Sequence, residues 1–169
     1  METTAVDQIH QDRVSEQKES CFSGFSHISL PVRDLQEAKR FFVQVLGGEV
    51  EYDTPGFIEV RVGGMLFGFA QKKEGWTARE AEFPHYAFFV EPDKFIPMQE
   101  RLERHGVPTH QPWTRDGIRA LMYFRDPSGN LFEMYCTQGF KDAPNLPRPA
   151  KRGGNLVIDF AALNYDWKG

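Results

Sequence analysis

The chain has only two cysteines in 169 residues, no long apolar run and no excess of positive charge. Two cysteines, Cys21 and Cys136, make no disulfide framework. The longest apolar stretches, such as Tyr86 to Val90, fall far short of the ~20 residues that cross a bilayer. Residues 1–24 are polar and acidic without an apolar h-region, so no secretory signal is expected. Lys and Arg number 20 against 24 Asp and Glu, a net charge of −4, so the field that attracts nucleic acid or an anionic membrane is missing. These absences predict a soluble, cytoplasmic protein with neither nucleic acid nor membrane as partner. What is present, 40% hydrophobic and 26% charged residues, suits one domain or two fused small modules.

Composition marks off both ends. Residues 1–24 read as a mobile polar tail. Residues 141–169 read as a Pro/Gly linker, APNLPRPAKRGG, followed by a short apolar extension from Leu156 to Leu163. The pattern of that extension leaves open a strand, a helical turn or a dimer contact.

Between the ends lies an internal repeat. FSHISLPV (25–32) lies over FPHYAFFV (83–90), with Phe, His and Val coinciding at an offset of 58. GMLFGF (64–69) lies over GNLFEM (129–134) at an offset of 65, with Gly, Leu and Phe coinciding. A helix fits the corresponding gap in each half. Asp34 to Glu37 has the spacing of a capping box before Leu35, Ala38, Phe42 and Val45, with Gly47 as the stop. The second helix passes through Met98 and Leu102 to Gly106, with Pro97 in its first turn. Each half therefore reads as βαβββ, giving an α+β fold of two modules, residues 25–72 and 83–136.

Strand alternation then assigns faces. Ile28, Leu30, Val32, Tyr86, Phe88, Val90, Ala120, Met122, Phe124, Phe132 and Met134 point to the core, as does Cys136. The opposite face collects His27, Ser29, His85, Arg119, Tyr123, Glu133 and Tyr135. Buried polar groups need partners, so this is not the finish of a purely structural sheet. A single His on a strand is more commonly structural; two at equivalent repeat positions, with a Glu on the same face, point to metal. His10, His105 and His110 lack that support and read as tail, helix end and loop.

Paired βαβββ units with His opening each half and Glu in the last strand resemble the vicinal oxygen chelate superfamily: glyoxalases, extradiol dioxygenases, fosfomycin-resistance enzymes and bleomycin-resistance proteins. The segment MYFRDPSGNLFE (122–133) resembles the family's strand, Asp-Pro-x-Gly turn and Glu-bearing strand. The resemblance covers residues 25–140 and implies a curved mixed sheet around a metal cleft, with His27, His85 and Glu133 as ligands and Tyr123 as the catalytic tyrosine. Ser29 and Arg119 are the substrate-contact candidates, Arg119 alternatively pairing with Glu59. The repeat places Gly68 opposite Glu133, so the fourth ligand of glyoxalase-like members is missing. The extra His of extradiol enzymes is also missing at its usual spacing. The Arg115-Asp116 and Arg119 run is similar to the fosfomycin-resistance branch, whose substrate is anionic.

Two imidazoles and one carboxylate leave open positions on a divalent ion. From that chemistry the first expectation is a non-haem iron dioxygenase acting on a small molecule with adjacent oxygens, Fe(II) ahead of Mn(II) or Zn(II). The alternatives are a metal-dependent transferase, lyase or isomerase, and a metal-free sequestering protein. A homodimer is expected, the site lying within one chain or shared between two.

Overall fold

A computed structural model describes residues 25–75, 81–150 and 153–169; the expectation for residues 1–24 lies outside them. The first module runs β1 (His27–Val32), α1 (Leu35–Arg40) with a π-helical turn at Phe41–Val45, β2 (Glu49–Thr54), β3 (Phe57–Val62) and β4 (Met65–Gln71). The second runs β5 (Tyr86–Phe89), α2 (Phe95–Arg104), β6 (Ala120–Arg125) and β7 (Leu131–Cys136). The sheets have the orders β1-β4-β3-β2 and β5-β7-β6, with β1 parallel to β4 and β5 parallel to β7. No helix among the described residues is long and apolar enough to cross a membrane.

Local chemistry explains the helix ends. The Asp34 carboxylate accepts from the Glu37 amide at 2.8 Å, satisfying one of the amides left free at the start of α1. Gly47 lies at φ 75° and its amide closes the last turn on Val43 O at 3.2 Å. In α2, Pro97 falls in the first turn, where a missing amide costs nothing.

The expected faces are present. One core, holding Phe42, Phe67, Phe69, Phe124, Phe132 and Met134, joins the helix-facing sides of both sheets, with the Phe67 and Phe132 rings 6.0 Å apart. A second cluster, Trp113, Leu121, Tyr123, Leu131 and Leu163, lies on the other side of β6 and β7. The register bears out the repeat: Ser29 sits beside Gly68 as Ala87 sits beside Glu133.

Two expectations need correction. The second module has three strands rather than four, the missing one shrinking to a single bridge, Trp113 with Leu121. Pro108 and Pro112 flank that stretch, and a residue without an amide proton cannot extend a ladder. A side chain does the missing strand's work: the Tyr123 amide donates to Nε2 of His110 at 3.0 Å, while His110 Nδ1 lies 2.8 Å from Gln111 O. His110, read as a loop residue, thus closes the outer edge of β6 as the neutral Nδ1–H tautomer. Burial lowers its pKa from the ordinary 6.5. His110→Ala leaves a buried amide unpaired and should cost about 1–3 kcal/mol in denaturant titration, whereas His110→Gln keeps an acceptor and restores part of it. Because the native pKa is depressed, the wild type holds this increment above pH 6.5 and loses it as pH falls through the native value; His110→Gln should not show that loss.

The other correction concerns residues 141–169, which form no free linker. After a 3-10 turn (Ala143–Asn145), Thr114 N donates to Pro147 O at 2.9 Å and Pro149 bridges Leu156. A second 3-10 turn (Ala161–Leu163) buries Leu163. The chain then crosses the edge of β6: Tyr165 Oη donates to Arg125 O at 3.0 Å and Trp167 Nε1 to His105 O at 2.8 Å.

Candidate metal and anion site

Ligand candidates come from strand starts and from the middle of β7. Glu133 is central in its three-stranded sheet, between Ala87 and Tyr123, and is 2% exposed. The turn before it is fixed by Asp126, whose Oδ1 accepts from Ser128 N at 2.9 Å and Asn130 N at 2.8 Å, with Gly129 at φ 94°. Burial raises the Asp126 pKa to about 6 against these hydrogen bonds.

His85 Nε2 lies 3.5 Å from Glu133 Oε2, and His85 Nδ1 lies 2.9 Å from Glu82 O. A carbonyl accepts only, so Nδ1 carries a proton and Nε2 faces the carboxylate, as in metal-binding histidines whose other ring nitrogen donates to a carbonyl. Without an ion, Glu133 raises the His85 pKa, chiefly through their hydrogen bond. Glu133 Oε1 is buried without a partner. A cation beside His85 Nε2 satisfies that oxygen and replaces the proton, so these residues fit a divalent metal.

His27 does not join them within the chain. It is exposed at the head of β1, its Nδ1 2.8 Å from Ser26 Oγ. Among the described residues no three His, Cys, Asp or Glu side chains are arranged to hold a metal. Ser29 shares the His27 face of β1 and lines a small cavity with Pro84, Tyr86 and Leu131. Gly68, beside Ser29, carries no ligand, and a Cβ there would meet the Phe57 ring at 2.9 Å.

Tyr123 is fully buried, 5.3 Å ring to ring from His85, and its hydroxyl donates to Glu82 Oε1 at 3.3 Å. Burial first, then the charges of Glu133 and Glu82, raise its pKa far above the ordinary value, so it stays a proton donor. Arg119 pairs with Asp116 rather than Glu59. The arginine on the site face is Arg115, its guanidinium carbon 5.9 Å from the Trp113 ring centre and 5.8 Å from that of Tyr135. Its Nε and the Trp113 Nε1 are buried donors without partners. Sequence reasoning named Arg115 only within a basic run and passed over Trp113 and Glu82. Their signals are the Trp-x-Arg spacing, which puts both side chains on one face, and a carboxylate three residues before a candidate ligand His.

One face therefore offers an acceptor that wants a cation and, beside it, donors that want an anion. The glyoxalase/bleomycin resistance protein/dioxygenase superfamily model matches residues 24–134, and the chain belongs to that superfamily. It is 28% identical over 112 residues, 65% of this chain and 78% of the relative, to glutathione transferase FosA of Serratia marcescens. Two structures of the fosfomycin resistance protein FosX from Listeria monocytogenes are each 25% identical, with TM-score 0.59 over 73% of this chain and 95% of theirs. One is complexed with Mn(II) and sulfate, the other, a variant, with Mn(II) and 1S,2S-dihydroxypropylphosphonic acid. One relative is thus named a glutathione transferase and the other a fosfomycin resistance protein that holds Mn(II) in both structures, and neither name is that of an oxygenase. These relatives back the transferase, lyase or isomerase alternative better than the dioxygenase, and they do not support iron as the first metal.

Proposed function

We propose that this protein is a Mn(II)-dependent enzyme that adds a nucleophile to a small anionic substrate of the fosfomycin type, an epoxide bearing a phosphonate. The observation that carries this reading is the pairing of the orphaned Glu133 oxygen with the orphaned donors of Trp113 and Arg115 on one face.

His85 and Glu133 hold the ion, and His27 of a second copy completes the set. Two strands with one open edge each, β1 and β5, begin at or directly follow the ligand histidines. Exposed Phe25, Phe83 and Phe89 flank those edges at 88, 66 and 83% exposure, as expected of surfaces that pair. Laying β1 of one copy beside β5 of another repeats itself across a two-fold axis, so a closed dimer carries two complete sites.

A divalent ion held by these residues would supply Lewis acidity to the reaction. Arg115, held between two rings, presents planar donors to the phosphonate. The nucleophile, water or a thiol, forms a bond to one epoxide carbon as that carbon's bond to oxygen breaks; the nucleophile loses a proton and the released oxygen gains one. Tyr123 stands as donor to that oxygen, which competes with Glu82 for its hydrogen. His110 takes no part as acid or base, since both its nitrogens hold backbone groups.

Phosphorus NMR of fosfomycin incubated with Mn(II)-loaded protein, in water alone and with glutathione, tests this reading. Expected is conversion to the diol or the thiol adduct, abolished by chelator and restored by Mn(II). No metal-dependent loss of the epoxide, with oxygen uptake on catechols by Fe(II)-loaded protein instead, would return the oxygenase to first place.

A further inference from the structure

The family match ends at residue 134, yet the chain continues over the face that holds Tyr123 and Glu133. Leu156, Ile158 and Phe160 turn inward and Val157 outward, at 80% exposure. Phe160 packs on Tyr123 with ring centres 5.2 Å apart. Together with Glu82, Trp113, Pro149, Ala150 and the more exposed Val157, the three inward residues line a cavity of about 220 Å³.

Two residues make this cavity continuous with the site. Glu82 lines it while accepting from the Tyr123 hydroxyl and from His85 Nδ1. Trp113 lines it while stacking under Arg115. A ligand whose anionic group lies at Arg115 therefore has an apolar chamber one residue away. The buried Trp113 Nε1, without an acceptor, is that chamber's unpaired donor.

Fastening on both sides makes the segment a wall. Before it, Leu156 N donates to Arg148 O at 3.1 Å and Ala150 N to Leu156 O at 2.9 Å. After it, Asp159 Oδ1 accepts from Ala161 N at 2.9 Å and Ala162 N at 3.2 Å, and Leu163 is buried against Leu121 and Leu131.

We propose that Leu156, Ile158 and Phe160, with Trp113, form an apolar subsite that receives the organic substituent of the anionic substrate and selects aryl or branched groups over a bare methyl. This deepens the proposed function and rests on its anion at the metal face.

The test is calorimetric titration of the Mn(II)-loaded full chain with methylphosphonate and phenylphosphonate. Burying the ring should make phenylphosphonate bind about tenfold tighter or better. Phe160→Ala and Ile158→Ala should reduce that preference to about threefold or less while leaving methylphosphonate affinity and Mn(II) binding unchanged; Val50→Ala, an exposed position on β2 outside the cavity, should keep it. Mn(II)-dependent methylphosphonate binding with no phenyl preference, or a preference that survives both inward variants, would overturn the subsite alone. Binding of neither phosphonate would overturn the anion-at-metal reading and the subsite with it.

Discussion

Glu133→Gln should bind Mn(II) more weakly than the wild type by more than the roughly 10- to 100-fold that loss of an outer-shell partner costs. The substitution is nearly isosteric, so the buried place between Ala87 and Tyr123 stays filled and the sheet keeps its register. What disappears is the negative charge that draws His85 toward the charged form and leaves Oε1 asking for a cation. Turnover should disappear with it, while the denaturation midpoint in chelator holds or rises, because the buried charge whose Oε1 has no partner is neutralised. Metal titration followed by denaturant melts separates the two effects. Mn(II) affinity equal to wild type would show that Glu133 is no ligand.

A mixture of two inactive variants should recover activity. In the proposed two-fold dimer, His27→Ala and Glu133→Gln would each break every site of their own homodimer. Unfolded together and refolded, they form heterodimers in which one site takes His27 from the Glu133→Gln chain and His85 with Glu133 from the His27→Ala chain. Random pairing makes half the dimers mixed, with one of two sites intact, so about a quarter of wild-type activity should return. A site built within one chain would stay dead in the mixture. The exposed His27 and the absence of a converging triad among the described residues motivate the expectation.

The sequence made the scaffold legible because periodicity and repeat are local, redundant signals. Alternation separated Met122 and Phe124 from Leu121 and Tyr123, and the structure places these pairs in different clusters. The offset of Gly68 from Glu133 reappears as hydrogen-bonded register. The order of βαβββ units failed only where Pro108 and Pro112 interrupt a strand, a signal present in the sequence but outweighed by the repeat. Arg119 and Arg115 could not be ranked from spacing, because their difference lies in partners: Asp116 three residues from one, and aromatic rings from two separate strands or bridges around the other. Leu156 to Leu163 was ambiguous for the same reason, since its conformation follows from Trp113, Leu121 and Tyr123 rather than from its own pattern.

The C-terminal strap divides the molecule's work in two. Both sheets, the Asp126 turn and the paired His85 and Glu133 all precede residue 137, whereas the cover over Trp113, Leu121 and Leu131 comes from the residues that follow. Only when Leu163 seats, and Tyr165 and Trp167 fasten beyond the edge of β6, does that face become dry on the strap's side. Seating of the strap and drying of the pocket are thus one event: wherever Leu163 leaves its cluster, Trp113, Leu121 and Leu131 meet water.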